Sequence, residues 1–138
     1  MKKENISKHI SWNEATHSNT AKARKINNIP DPDTITRMKY VAYNVFEPLR
    51  EWYGKPIYIN SFYRSPLLNQ AIGGAKTSQH MKGEAIDIDA RSKEENKKLF
   101  NWIKENCEVD QLINEKDFSW IHVSLSLTKN RGMVFNIN

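Results

Sequence analysis

Between Asp33 and Trp52 the apolar residues return at steps of three and four: Ile35, Met38, Val41, Ala42, Val45, Phe46, Leu49 and Trp52. Such a stripe predicts a helix with one face in the core, capped by Asp33 or Thr34, kinked or restarted at Pro48 and ended by Gly54. After Pro56 the period changes to two. Ile57-Tyr58-Ile59-Asn60-Ser61, Ala85-Ile86-Asp87-Ile88-Asp89 and residues 109–115 and 120–126 read as half-buried strands, and 132–137 predicts a final edge strand. Pro66 opens a short helix that Gly73-Gly74 stops, and Ser92-Lys93-Glu94-Glu95 is a capping box ahead of a helix carrying Leu99, Ile103 and Cys107 on one stripe. Helices and strands in mixed order, without regular βαβ alternation, predict an α+β fold with a mainly antiparallel sheet. Residues 1–32 are polar and end in Ile29-Pro30-Asp31-Pro32, so they read as an N-terminal arm, with a short helix within 15–26, on a single domain spanning 1–138.

The polar faces of two of these strands carry the chemistry. In residues 85–89, Ile86 and Ile88 take one face and Asp87 and Asp89 the other. His80 precedes Asp87 across Gly83, a residue that permits the tight turn needed to bring the imidazole back over the strand. In the later strand Ile121, Val123 and Leu125 take the core face, which leaves His122 opposite them. Two neutral imidazoles and a carboxylate suit a catalytic zinc, which takes three protein ligands and keeps a fourth position for water. A structural zinc would want a fourth ligand and favours cysteine, and the chain offers only Cys107, read as a small buried hydrophobe. The pattern therefore predicts one zinc per chain, on His80, Asp87 and His122. Asp89 is expected to orient a ligand histidine or to be solvated. His9 and His17, without partners at metal spacing, read as solvated or capping residues.

These residues resemble a known family. Ser78, His80, Gly83, Ala85 and Asp87 form Ser-x-His-x-x-Gly-x-Ala-x-Asp, similar to the zinc-ligand signature of the M15 peptidases. That family comprises zinc D-Ala-D-Ala carboxypeptidases and L-alanyl-D-glutamate endopeptidases, many of them phage lysins, and shares its fold with the hedgehog signalling domain. Trp120-Ile121-His122-Val123-Ser124 resembles the segment bearing the family's last histidine ligand, and Ser61-Phe62-Tyr63-Arg64 resembles its Ser-x-x-Arg element. The likeness covers residues 33–126. It implies a hedgehog or DD-peptidase-like fold, with helices packed on a small sheet whose face holds the zinc. It also implies peptidoglycan stem peptides or cross-links as substrates, and Arg64 as the group that binds a substrate carboxylate or the tetrahedral oxyanion. Ser78 and Gln79 would contact substrate, or merely cap their turns.

One departure bears on the activity. Many members carry an acid three residues before the last histidine, where this chain has Ser119. Glu115, in a segment resembling the strand with the metal-proximal glutamate of hedgehog-like domains, is then the expected general base, with Asp117 as its rival. The other reading is a non-catalytic, zinc-stabilised module that binds cell wall or builds a virion.

Composition narrows the setting. A length of 138 residues suits one core, and the net charge of +5 suits an anionic partner such as cell-wall polymer. Lys and Arg are scattered rather than gathered on a basic platform, which argues against nucleic acid. The single cysteine excludes an intramolecular disulfide. The basic start lacks the apolar core of a signal peptide and no run approaches a membrane span. The expectation is a monomer made in the cytoplasm, not inserted in membrane, that reaches the wall after phage lysis or as part of a virion.

Overall fold

Asp31 and Pro32 open the long helical run instead of closing an arm. The computed structural model describes residues 5–138, so the first four residues of the expected arm lie outside the described part. Asp31 caps α3 (Pro32–Val41), its Oδ1 accepting from the Thr34 amide at 2.8 Å. Pro32 occupies the first helical position, where no amide hydrogen is required. The expected cap at Asp33 or Thr34 therefore moves back to Asp31.

Nor does Pro48 act as a simple kink. The run continues through a π-helical turn, Ala42–Phe46, into α4 (Glu47–Tyr53), and the Glu47 amide reaches back five residues to the Ala42 carbonyl. Pro48 has no amide to donate and its ring presses on the carbonyl four residues back; a widened turn ahead of it makes that room while the chain stays helical. The apolar stripe survives the change, because Met38, Val41, Ala42, Val45, Phe46 and Leu49 are all essentially inaccessible. Trp52 departs from the predicted stripe: it is half exposed and stacks on Trp102 at 5.5 Å. Gly54, at φ +73, then ends α4.

From residue 5 the N-terminal segment, read as an arm, packs on the core. It forms α1 (Trp12–Thr16) and α2 (Asn19–Arg24), and Ile6, Ile10 and Ala15 are buried in the same cluster as Val45 and Leu49. His9 pairs with Glu47 at 2.7 Å, and buried Asn28 donates to the carbonyls of Thr16 and Tyr63 while accepting from the Ser65 amide. So few apolar residues gave little periodic signal, yet each is fully buried.

Five strands form one sheet: β1 (Tyr58–Ser61), β2 (Ala85–Asp89), β3 (Gln111–Glu115), β4 (Trp120–Ser124) and β5 (Met133–Ile137), in the order β1-β2-β4-β3-β5. All neighbours run antiparallel except β5, the expected edge strand, which lies parallel to β3. The fold is thus α+β with a mainly antiparallel sheet. Ile86, Ile88, Leu112, Ile121 and Val123 turn to the core, where α3 and α6 (Lys93–Asn106) supply Met38, Leu99 and Ile103. Cys107 lies half-buried at the end of α6, and burial pushes its thiol pKa up.

Between α5 (Pro66–Ala71) and β2 a 3₁₀ turn, Gln79–Lys82, is closed by Gly83 at φ +75. A Cβ there would sit 2.7 Å from Met38 Cγ and 2.9 Å from the Thr34 carbonyl. Both the left-handed backbone and the approach to α3 demand glycine. Gly83→Ala is expected to cost about 2–4 kcal/mol, read as a lowered urea midpoint with an unchanged slope; an unchanged midpoint would contradict this packing.

Candidate metal centre and its cleft

Strand register does most of the assembly. Asp87 on β2 lies directly opposite His122 on β4, and Ile113 on β3 lies opposite His122 on its other side. Directly opposed residues on one face stand about 5 Å apart at Cβ. The third group comes from the 3₁₀ turn. Ser78 caps it, its Oγ accepting from the His80 amide, and Gly83 returns the chain into β2. As a result His80, Asp87 and His122 each place a ligand atom within 4.8 Å of the others.

His80 is almost wholly buried, and its Nδ1 lies 2.8 Å from the Phe62 carbonyl. A carbonyl only accepts, so Nδ1 carries the proton and Nε2 presents a lone pair. That lone pair has no hydrogen-bond partner, yet it lies 3.2 Å from Asp87 Oδ2. The short separation lacks hydrogen-bond geometry: two acceptors face each other, an arrangement that repels unless a proton or cation is shared between them. His122 Nδ1 stands 3.0 Å from the other oxygen, Oδ1. Burial pushes the Asp87 carboxyl up, and positive charge on the imidazoles of His80 and His122 draws it well below the usual carboxylate range; with His80 neutral at Nε2, a bound cation would supply that charge instead. A buried ionised carboxylate flanked by two imidazoles, one with a bare lone pair, fits a divalent metal with bonds of about 2.0–2.2 Å. Phe62, a residue with no polar side chain to mark it, supplies through its carbonyl the orienting contact for which Asp89, read as an orienter or as solvated, was a candidate. Asp89 instead accepts from Asn96 and from the Arg91 amide.

The three residues floor a cleft of about 470 Å³ that Arg64, Ser78, Gln79, Glu115 and Trp120 help to line. Arg64 enters just after β1. Its Nη2 donates to Ser78 Oγ at 3.3 Å, its Nε is buried without a partner, and among the described residues it forms no ion pair. Burial lowers its pKa while the nearby Asp87 and Glu115 raise it. Glu115 ends β3, opposite Trp120, whose indole donates to Oε2 at 3.1 Å. Gln79 also lines the cleft; one of its amide N–H groups donates to Asp110 at 3.0 Å, which leaves the other N–H and the carbonyl oxygen for a substrate.

Asp117 lies elsewhere. Its side chain is 71% exposed, pairs with Lys93 at 2.6 Å, and borders a separate depression with Asp89 and Ser119. That depression contains no imidazole and no part of the ligand trio. Ser119 donates its hydroxyl to the Lys116 carbonyl within the turn between β3 and β4. Neither residue lines the cleft of the trio.

A family model described as Peptidase M15 matches residues 7–124. The chain belongs to the M15 peptidase family. The match spans most of the chain, includes every residue of the trio, and begins inside the segment expected to be an arm. A search of curated proteins finds no match. M15 membership makes this chain a peptidase of a metalloenzyme family, and the His80, Asp87 and His122 group is its candidate metal site. Among the described residues no helix is long and apolar enough to cross a membrane.

Proposed function

We propose that this chain is a zinc peptidase, acting as a monomer, that cuts the stem peptides or cross-links of peptidoglycan as a carboxypeptidase or an endopeptidase of lysin type. The observation that carries the reading is the bare Nε2 of His80 aimed at the ionised Asp87 beside His122, on the floor of an open cleft. Zinc held by these three residues would supply Lewis acidity to the peptide carbonyl and acidify water at neutral pH. The chain's own residues do the rest. Glu115 accepts the proton of the attacking water at its carboxylate and returns it to the leaving amine, with Trp120 fixing one oxygen of that carboxylate. Arg64, desolvated and with an unpartnered Nε, takes a substrate carboxylate or the developing oxyanion. Access to the wall after phage lysis, or from within a virion, belongs to the same proposal.

The test is digestion of purified peptidoglycan with the zinc-loaded protein and mass analysis of what is released. Loss of one terminal residue marks a carboxypeptidase, and new internal amino termini mark an endopeptidase. The position of Ser119, outside the cleft and without a carboxyl, favours the one competing reading, a zinc-stabilised wall-binding or virion module. Retained wall binding with no released fragment from any wall preparation would establish that reading instead.

Arg64→Lys keeps the charge but loses the planar fork, so kcat/KM on a released stem peptide is expected to drop about tenfold or more. Unchanged kinetics in Arg64→Ala would remove Arg64 from the mechanism.

A further inference from the structure

Beyond residue 124, where the family match ends, the chain returns to the cleft through Arg131, just ahead of β5. Its partner is Asp110, a carboxylate only 3% exposed. Oδ1 of Asp110 accepts from the backbone amide and the Nε of Arg131, both at 3.0 Å, while Oδ2 accepts from Arg131 Nη2 at 2.6 Å and Gln79 Nε2 at 3.0 Å. Four donors on two oxygens exhaust the carboxylate's capacity. Asp110 is therefore an anchor with nothing left to offer a ligand. Arg131 is different: two of its side-chain N–H groups are taken, and the side chain, 53% exposed, borders both this cleft and a second depression beside Lys129 and Asn130. Of the five N–H donors of a guanidinium, the remainder are free to meet a second planar oxyanion. Because its orientation is already fixed by Asp110, little side-chain entropy is lost when they do.

Register says where that anion would lie. The row Asp87, His122 and Ile113 crosses the sheet at the candidate metal site. Glu115 and Trp120 stand two positions along in one direction, and Gln111 and Ser124 two positions along in the other. Two strand residues span roughly 7 Å. Asp110 and Arg131 continue the Gln111 side, with Gln111 itself on the cleft wall. The cleft is thus polar along the strands, with a carboxylate at one end and an anchored guanidinium at the other.

We propose that Arg131 is a specificity-determining residue that binds a free carboxylate of the substrate peptide, on the side of the scissile bond away from Glu115. The preferred substrates are then peptides with a carboxylate close to the bond that is cut. This rests on the peptidase reading above.

The experiment uses two peptides that the zinc-loaded protein cleaves from wall material or synthetic stem peptide, identical except that the carboxylate in question is free in one and a carboxamide in the other. Wild type is expected to favour the acid by about tenfold in kcat/KM, mainly through KM, and Arg131→Gln to bring the acid-to-amide ratio close to one. An equal loss on both peptides, with a lowered melting temperature, would reduce Arg131 to a staple for the C-terminal strand and overturn the proposal. So would a wild type that does not distinguish the pair. In parallel, calorimetric titration of the same peptides into zinc-loaded Glu115→Gln, with and without Arg131→Gln, reads the carboxylate preference without turnover. Should no peptide be hydrolysed at all, the peptidase reading fails, while the titration still upholds or overturns the role of Arg131 in binding.

Discussion

Loss of His80 is expected to take the metal with it. In His80→Ala, zinc retained after dialysis should fall from one per chain toward none, with activity on wall peptides falling to background. His80 is the one ligand whose donor atom is both buried and unpartnered, and Phe62 holds its ring in the tautomer that exposes that atom. Without the imidazole, Asp87 is left an ionised, mostly buried carboxylate with only His122 beside it, a change that costs stability as well as affinity. Because the three ligand atoms converge only in the folded chain, wild type should melt at a higher temperature with zinc than without, and the variant should not. His122→Ala, less damaging to packing because that side chain is 13% exposed, separates loss of metal from loss of fold. Full zinc occupancy in both variants, by elemental analysis, would end the assignment of this centre.

The second large effect belongs to Glu115. Glu115→Gln keeps the size of the side chain and an acceptor oxygen for the Trp120 indole, yet cannot take up a proton at neutral pH. We expect kcat to fall by about 10² or more with zinc content and melting temperature unchanged, the range typical for removal of a positioned proton acceptor. Asp117→Asn is the control, since its carboxylate is solvent-exposed, salt-bridged to Lys93 and absent from the cleft. It should leave kcat near the wild-type value. The reverse outcome, with Asp117→Asn impaired and Glu115→Gln intact, would move the base to a residue that must then approach the cleft by rearranging its turn.

What the sequence made legible was what repeats. Alternation in 85–89 and 120–124 put Asp87 and His122 on the face opposite their apolar neighbours, and the structure pairs them directly. The helical stripe from Met38 to Leu49 was equally plain, because helix burial obeys a period even when a π turn interrupts it. Features that depend on one contact at long range left no such trace. From residue 5 onward the N-terminal segment folds onto the core through isolated residues such as Ile6 and Ile10, too few to form a pattern. Phe62 contributes a backbone carbonyl, an atom common to every residue, and the Asp110–Arg131 clamp joins positions whose closeness follows from the parallel docking of β5 on β3. Asp89 and Asp87 share a face by alternation, but Asn96, from α6, draws Asp89 into a separate set of bonds.

The direct opposition of Asp87 and His122 would make a metal bound there a reader of strand alignment. Sliding β4 by a single residue against β2 would turn His122 toward the core and Ile121 or Val123 toward the cleft. No trio could then form. A divalent ion present during refolding should accordingly favour the one alignment of two strands far apart in the chain. The centre would then act as a checkpoint for assembly as well as a place for chemistry, and chains refolded without metal would be the ones in which misaligned sheets accumulate.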